Sequence, residues 1–307
     1  MLKIVKEQGR DDLAKVYVGL MRDYSEKYLV EFVESLQPPI PRDEKWVIIV
    51  SSQFGCPVRC LMCDAGKEFV GNLTADEIIE EIDYLVRKYF PDGRVPVTKF
   101  KIQFARMGEP ALNPAVLSVI EKLPLLYDAP GLIPCIATIA PKGSEDFFDR
   151  LLYIKARLYQ GGKFQLQFSI NTTDPEKREK LMPFPKWDFE KIAKYGDKFY
   201  QKGDRKITLN FAITEDYPVD DNIVKKYFSP EKFLIKLTPV NPTSQVEANN
   251  LKTYIDPADA VKNSLIVNKF RQQGYDTILS IGELEENQIG SNCGEFVSTY
   301  RQESKRI

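Results

Sequence analysis

Six apolar, β-rich runs of strand length recur along the chain, and stretches with helical apolar spacing fill the intervals. The runs are KWVIIVSS (45–52), TKFKIQFA (98–105), LIPCIAT (132–138), KFQLQFSI (163–170), KITLNFAI (206–213) and FLIKLTPV (233–240). The best-marked helix begins at Thr74, where Thr74 and Glu77 form a capping box ahead of a stripe of Ile78, Ile79, Ile82 and Leu85. Further helices are expected at 113–123, 144–159, 189–203 and 257–274. This alternation predicts βα units around a parallel sheet. Six such units predict an α/β fold, a partial (β/α)6 TIM-like barrel open on one side. Chemistry in such barrels gathers at the C-terminal ends of the strands. That rule puts the loops after Ser52, Ala105, Thr138, Ile170, Ile213 and Val240 around one mouth. Ahead of the barrel, KVYVGLMR and KYLVEFVESL predict a β-hairpin, followed by the Pro-rich connector LQPPIPRDEK. The expected organisation is therefore an N-terminal β-hairpin extension over 1–45 and a barrel over 46–307.

Composition narrows the chemistry. With 307 residues, 43% of them hydrophobic, the chain can bury one large core. Lys plus Arg number 43 against 44 Asp plus Glu, a net charge of −1 that gives no general attraction to phosphate backbones. The opening MLKIVKEQGRDDLAK lacks the apolar run of a signal peptide, and no stretch approaches the ~20 apolar residues that span a bilayer. A soluble cytoplasmic protein with no membrane partner is expected. There is no histidine, which removes His triads, His-ligated zinc and imidazole acid–base catalysis. Five cysteines, an odd number, favour metal or redox chemistry over a disulfide framework.

Three of the five stand in SSQFGCPVRCLMCDAGK, at the spacing Cys-x3-Cys-x2-Cys directly after the first predicted strand. Thiolates of Cys56, Cys60 and Cys63 on one short loop can each bind a different iron of a [4Fe-4S] cube and leave the fourth iron open to a small molecule. A zinc site would want a fourth Cys or a His, buried structural cysteines seldom cluster in a Gly- and Pro-containing loop, and a disulfide would leave one thiol over. The motif resembles that of the radical S-adenosylmethionine (SAM) superfamily. The resemblance implies that SAM binds the open iron and that one electron splits it to a 5′-deoxyadenosyl radical.

Further segments resemble the RlmN/Cfr family of radical SAM methyltransferases, which methylate adenine in ribosomal RNA. NLTADEII is similar to the family's first helix. RMGEPALN (106–113) resembles its Gly-Met-Gly-Glu-Pro segment, which implies Gly108 and Glu109 at SAM, with Glu109 accepting a hydrogen bond from the amine. FSINTTDPEKREKLMP (168–183) implies Ser169 and Asn171 as SAM contacts, and LTPVNP (237–242) places Asn241 near the ribose. Thr138, at the end of the third strand, is a further SAM contact on a looser match. SNCGEF (291–296) makes Cys293 the counterpart of the methyl-carrying cysteine, and Glu31 in LVEFVES resembles the position of the family's base. Taken singly, Glu109 also reads as a helix N-terminal acid, Asn241 as a turn former, Ser169 as a strand-end hydroxyl and Glu31 as a solvated hairpin residue. By the family's mechanism, Cys293 takes a methyl group from one SAM, and a radical from a second SAM activates it for addition to the substrate. A reductase or a flavodoxin or ferredoxin is implied as electron donor.

The pattern departs from the family in ways that bear on substrate. Where the family has its second cysteine, seven residues before Cys56, this chain has Ile49. Cys135 is the remaining thiol, and an apolar strand makes it a small core residue unless it points into the barrel. Fewer than fifty residues precede the first barrel strand, which is expected to leave no room for the family's helical RNA-binding domain. Glu283, Glu285 and Glu286 lead up to Cys293 where the family is Arg-rich, either repelling phosphate or forming a solvated loop. A methyltransferase acting on a small or compact substrate is therefore expected, with ribosomal RNA disfavoured and other RNA left open. Two other readings remain: an isomerase, epimerase or carbon–carbon bond-forming enzyme with Cys293 as hydrogen-atom donor, and a non-catalytic iron–sulfur or zinc module on an interaction scaffold.

Overall fold

A computed structural model describes residues 1–282, 289 and 296–304. Strands β1 (Lys3–Gly9), β2 (Ala14–Leu20) and β3 (Leu29–Ser35) form an antiparallel meander. β4 (Lys45–Val50) follows, and a two-stranded ribbon of β5 (Gln53–Gly55) and β6 (Phe69–Asn72) leads to helix α1 (Ala75–Tyr89). Then come β7 (Lys99–Phe104), α2 (Ala115–Leu126), β8 (Leu132–Thr138), α3 (Glu145–Leu158), β9 (Gln165–Ser169), α4 (Pro175–Leu181) and α5 (Phe189–Phe199). The chain continues through β10 (Ile207–Ala212), α6 (Asp221–Tyr227), β11 (Phe233–Thr238), α7 (Ser244–Ala248), α8 (Ala260–Gln272), β12 (Thr277–Leu279) and α9 (Phe296–Ser304). Ten strands make one sheet in the order β1-β2-β3-β4-β7-β8-β9-β10-β11-β12, parallel from β4 onward.

All six predicted barrel strands are present, and a three-residue seventh, β12, joins the far edge; it is too short to show a period in sequence. The N-terminal hairpin is corrected to a three-stranded meander. Its extra strand, KIVKEQG, lies largely exposed at the sheet edge, where charged residues are the usual protection and leave no apolar alternation to read. The meander also continues the barrel sheet, because β3 pairs antiparallel with β4, Val33 facing Ile49. The capping box forms as expected: Glu77 N donates to Thr74 Oγ1 (3.2 Å) and Thr74 N to Glu77 Oε2 (2.8 Å). Ile78, Ile82 and Leu85 are buried beneath it. Short helices such as α4, PEKREKL, were not predicted because they carry almost no apolar residues; Asp174 caps α4 by accepting from Lys177 N (3.0 Å).

Alternation along the parallel strands separates two faces. Trp46, Ile48, Val50, Phe100, Ile102, Phe104, Leu166, Phe168, Ile235 and Leu237 are fully buried in the main core. Each such side chain contributes on the order of 1.5–3 kcal/mol. The opposite face is polar and half-buried: Lys99, Lys101, Gln103, Gln165, Gln167, Asn210 and Lys236. Cys135 sits on this inward face, in register between Gln103 and Gln165, with its Sγ 3.9 Å from Gln165 Oε1. It belongs to the lumen, not to the apolar core.

Burial, with Lys99 and Lys45 nearby, pulls the Lys101 ammonium down from 10.5 to about 8. The folded chain releases this proton while the unfolded chain still holds it, so stability should rise as pH climbs from about 8 to 10.5. The total gain is about 3 kcal/mol. Urea melts across this range should show the rise in the native chain and a much flatter profile in Lys101→Met.

Candidate active site

The ribbon β5–β6 projects the cysteine loop at the C-terminal end of β4. Its neck is pinned at Gly55, where φ is +82° and a Cβ would stand 1.6 Å from Glu68 O, so only glycine closes the loop. Further along, a Cβ on Gly66 would meet Arg59 Cα at 2.6 Å. Cys56, Cys60 and Cys63 are all half-exposed and none is in a disulfide. Burial, reinforced by the neighbouring sulfurs, pushes Cys56 up to about 12 and Cys60 well above the ordinary thiol value, and burial likewise raises Cys63. Without a metal these thiols are held protonated; a bound metal centre would hold them as thiolates. Among the described residues, no three His, Cys, Asp or Glu side chains converge as ligands of one metal ion would. A cube suits such spacing, because each thiolate takes a different iron.

Asp64, which follows the last cysteine, was missed at the sequence level. Its buried carboxylate accepts hydrogen bonds from Ser244 N (3.2 Å), Ser244 Oγ (2.8 Å) and Gln245 N (3.1 Å). Thr243 Oγ1 donates to Met62 O (3.0 Å) and Asn249 Nδ2 to Leu61 O (3.0 Å), so α7 clamps the loop from across the mouth. Asn241, half-exposed, lies three residues before Ser244. Asp64→Ala should cost about 2–3 kcal/mol in urea unfolding and reduce iron retained after gel filtration, because charge-assisted hydrogen bonds to buried donors are lost.

The loop after β7 brings together Gly108, Glu109 and Thr138. Gly108 has φ +102°, and a Cβ there would press within 2.7 Å of Gln53 and Ser52. Glu109 is buried, with Oε1 accepting from Thr138 Oγ1 and from Ala111 N (3.0 Å), and Oε2 from Ile139 N (2.9 Å). Oε2 keeps one acceptor position for a ligand. Burial lifts the carboxyl to about 7, while the Thr138 and backbone donors pull it back. Ser169 closes β9 half-exposed at the mouth. Asn171, at φ +64°, spends its amide on protein: Ala212 N donates to Oδ1 (3.1 Å) and Nδ2 reaches Met182 Sδ (3.3 Å).

Glu31 corrects the solvated-hairpin alternative. It is fully buried, paired with Arg106 Nε at 2.7 Å, and its Oε2 accepts from Val297 N (2.9 Å) at the start of α9. Burial raises its pKa against the pull of Arg106 and of the α9 backbone. Cys293 and the acidic run 283–286 lie outside the described residues, but Phe296 and Val297 pack with Ala65, Met107 and Ile49 beside Cys56 and Cys63. Glu31 therefore anchors the segment that follows Cys293 to the cysteine side of the mouth. Arg106 escaped sequence reading although it adjoins the Gly108–Glu109 segment. Lys186, whose Nζ donates to Met182 O (2.9 Å) and Phe184 O (3.0 Å) and which is the cation acting on Cys60, carries no motif that would have marked it.

No family model matches the chain. A protein described as "Probable dual-specificity RNA methyltransferase RlmN" from Pseudothermotoga lettingae is 27% identical over 201 residues, 63% of this chain and 54% of that protein. A "Probable RNA methyltransferase" of Ectopseudomonas mendocina is 29% identical over 239 residues, 76% of this chain and 61% of its own length. The chain thus spans little more than half of these two relatives. The dual-specificity RNA methyltransferase RlmN of Wolinella succinogenes is 25% identical over 310 residues, covering 96% of this chain and 83% of that protein. A solved radical SAM methyltransferase from Sphaerobacter thermophilus shares the fold, with a TM-score of 0.71 over 96% of this chain and 80% of that one, at 18% identity.

A largely parallel sheet with three free thiols on the loop after β4, taken with these relatives, resembles the radical SAM enzymes. This chain is similar to RNA methyltransferases of the RlmN type and shares the fold of a radical SAM methyltransferase, a likeness that implies an iron–sulfur cluster and SAM as cofactors. No helix among the described residues is long and apolar enough to cross a membrane.

Proposed function

We propose that this chain is a SAM-cleaving methyltransferase that uses Cys293 as methyl carrier. The observation that carries the reading is the clamped loop of Cys56, Cys60 and Cys63 beside the buried carboxylate of Glu109. A [4Fe-4S] cluster on those three cysteines would supply the electron that splits SAM, delivered by a reductase, flavodoxin or ferredoxin. The free acceptor position of Glu109 takes the SAM amine, and the glycine at 108 lets the backbone pass close by. Thr138 orients Glu109, while Ser169, Asn171 and Asn241 border the same mouth from the ends of β9 and β11. With SAM bound, the thiolate of Cys293 would take the methyl group from the sulfonium, S-adenosylhomocysteine being the leaving group. Glu31, when ionised against Arg106, is the group that accepts the substrate's proton.

The relatives' names point to RNA as substrate. A compact molecule is supported instead by the chain's net charge of −1 and by Glu283, Glu285 and Glu286 before Cys293, which oppose a phosphate backbone. Reconstitution under anaerobic conditions, with methyl-labelled SAM and dithionite, tests the reading. The expected results are 5′-deoxyadenosine and a methylthioether on Cys293 by peptide mass spectrometry; an unmodified Cys293 overturns it. Label in small-molecule extract against label in total RNA decides the substrate class. Ile49, packed beside Cys56 and Cys63 where the family has its second cysteine, favours a second reading in which Cys293 donates a hydrogen atom in an isomerisation. That reading requires product free of methyl label. A non-catalytic iron–sulfur module would yield no 5′-deoxyadenosine.

A further inference from the structure

Four lysines occupy inward positions of the barrel strands, three of them in the N-terminal half of β4 and β7 and one midway along β11. Lys45 and Lys99 stand directly opposite on β4 and β7, Lys101 is the next inward position on β7, and Lys236 lies on β11 opposite Asn210. In the sheet order β11 is five steps from β4. Laid flat, that would separate them by roughly 24 Å, at about 4.8 Å per strand. The charge on Lys236 adds only the smallest share to the repulsion felt by Lys45, so the core of the cluster is Lys45, Lys99 and Lys101 on the adjacent strands β4 and β7. Arg205, exposed just before β10, adds a fifth cation in reach of Lys101.

Three of these cations have uncharged hydrogen-bond partners. Lys101 Nζ donates to Gln165 Oε1 (2.6 Å), Lys45 to Gln37, and Arg205 Nε to Gly162 O (2.8 Å). Among the described residues none of the five pairs with a carboxylate, whereas Lys155, Lys206 and Lys232 elsewhere each do. Like charges opposite one another on neighbouring strands are destabilising, and half-buried cations without a counter-ion more so. A parallel barrel ordinarily fills this layer with branched apolar side chains. Here the helix-facing positions of the same strands follow that rule and the lumen positions break it, so the repulsion is confined to one place.

We propose that this part of the lumen is a binding site for a small-molecule polyphosphate, a di- or triphosphate group held by Lys45, Lys99, Lys101 and Lys236. A monocarboxylate would leave most of the charge unbalanced, whereas linked phosphates concentrate several negative charges in a compact volume. The cations are recessed on the inner face of the strands among Gln103, Gln167 and Asn210, and do not form the exposed track that a nucleic-acid backbone follows. Lys45, Lys99 and Lys101 stand in the first half of their strands, away from the cysteine loop that follows β4, while Lys236 lies farther along β11, opposite Asn210.

Titration calorimetry of the reconstituted full chain with pyrophosphate and with tripolyphosphate, in dilute chloride buffer, tests the assignment. Saturable binding that weakens with added salt is expected. Lys101→Met and Lys236→Met should each lower affinity about tenfold or more, the equivalent of one charge-assisted hydrogen bond. Both variants should melt at a higher temperature than the native chain without anion, because repulsion is relieved; this separates lost binding from lost folding. Lys142→Met, on the exposed surface, should bind as the native chain does. The proposal is overturned by absence of saturable binding to either anion, or by equal affinity in all variants. It also falls if single-stranded RNA binds more tightly than tripolyphosphate with the same dependence on Lys101 and Lys236. No SAM cleavage enters the readout, so either outcome leaves the reaction assigned above untouched.

Discussion

Cys60→Ala will leave the purified chain without a stable iron–sulfur centre and with no measurable 5′-deoxyadenosine from SAM, while its unfolding in the absence of iron stays close to that of the native chain. The two halves of this result have one cause. In the iron-free fold the half-exposed Cys60 packs against the cluster of Val58, Ile139, Leu181 and Met182 as a protonated thiol, so alanine removes one partly buried sulfur and no charge. Such a truncation costs on the order of 1–2 kcal/mol. In the loaded enzyme the same sulfur must hold an iron, and two thiolates do not retain a cube that keeps one corner free for SAM. Iron content, visible absorbance and 5′-deoxyadenosine by chromatography, alongside urea melts of the iron-free chains, check both halves. Iron retained at the native level would mean that Cys60 is not a ligand.

Arg106→Met is expected to destabilise the chain by about 3–5 kcal/mol, the range for stranding one partner of a buried ion pair. Arg106 and Glu31 are 3% and 0% exposed, and the Glu31 carboxylate also accepts from the α9 backbone at Val297. With Arg106 gone, Glu31 is driven further toward its protonated form, cannot accept a proton, and holds α9 less firmly. Adding Glu31→Gln to Arg106→Met should restore part of the stability, because the stranded charge is removed, without restoring product formation. Urea unfolding of the single and double variants measures the coupling. A double variant no more stable than Arg106→Met would show that the pair is not energetically linked.

The local rules in the sequence reached a long way. Alternation in KWVIIVSS and its five counterparts yielded every long parallel strand, because burial of one face beneath helices imposes a period of two on the other. The Thr74–Glu77 box located the start of α1 through hydrogen bonds that span three residues. The Cys-x3-Cys-x2-Cys spacing was legible for the same reason: its three sulfurs share one loop, and chain distance constrains them directly.

What only the tertiary structure decided depends on residues distant in sequence. Glu31 reads as a solvated hairpin acid until β3 is seated against β4, Arg106 arrives from β7 and α9 closes over it, 266 positions away in the chain. Asp64 resembles any loop aspartate until α7 presents Ser244 and Gln245 to it. Lys45, Lys99 and Lys101 look like polar positions on short alternations, and only the pairing of β4 with β7 sets them side by side on the inner face. Short-range periodicity fixes which face a side chain takes; which other faces it meets is set by sheet order and curvature, and these are not encoded in any single stretch of the chain.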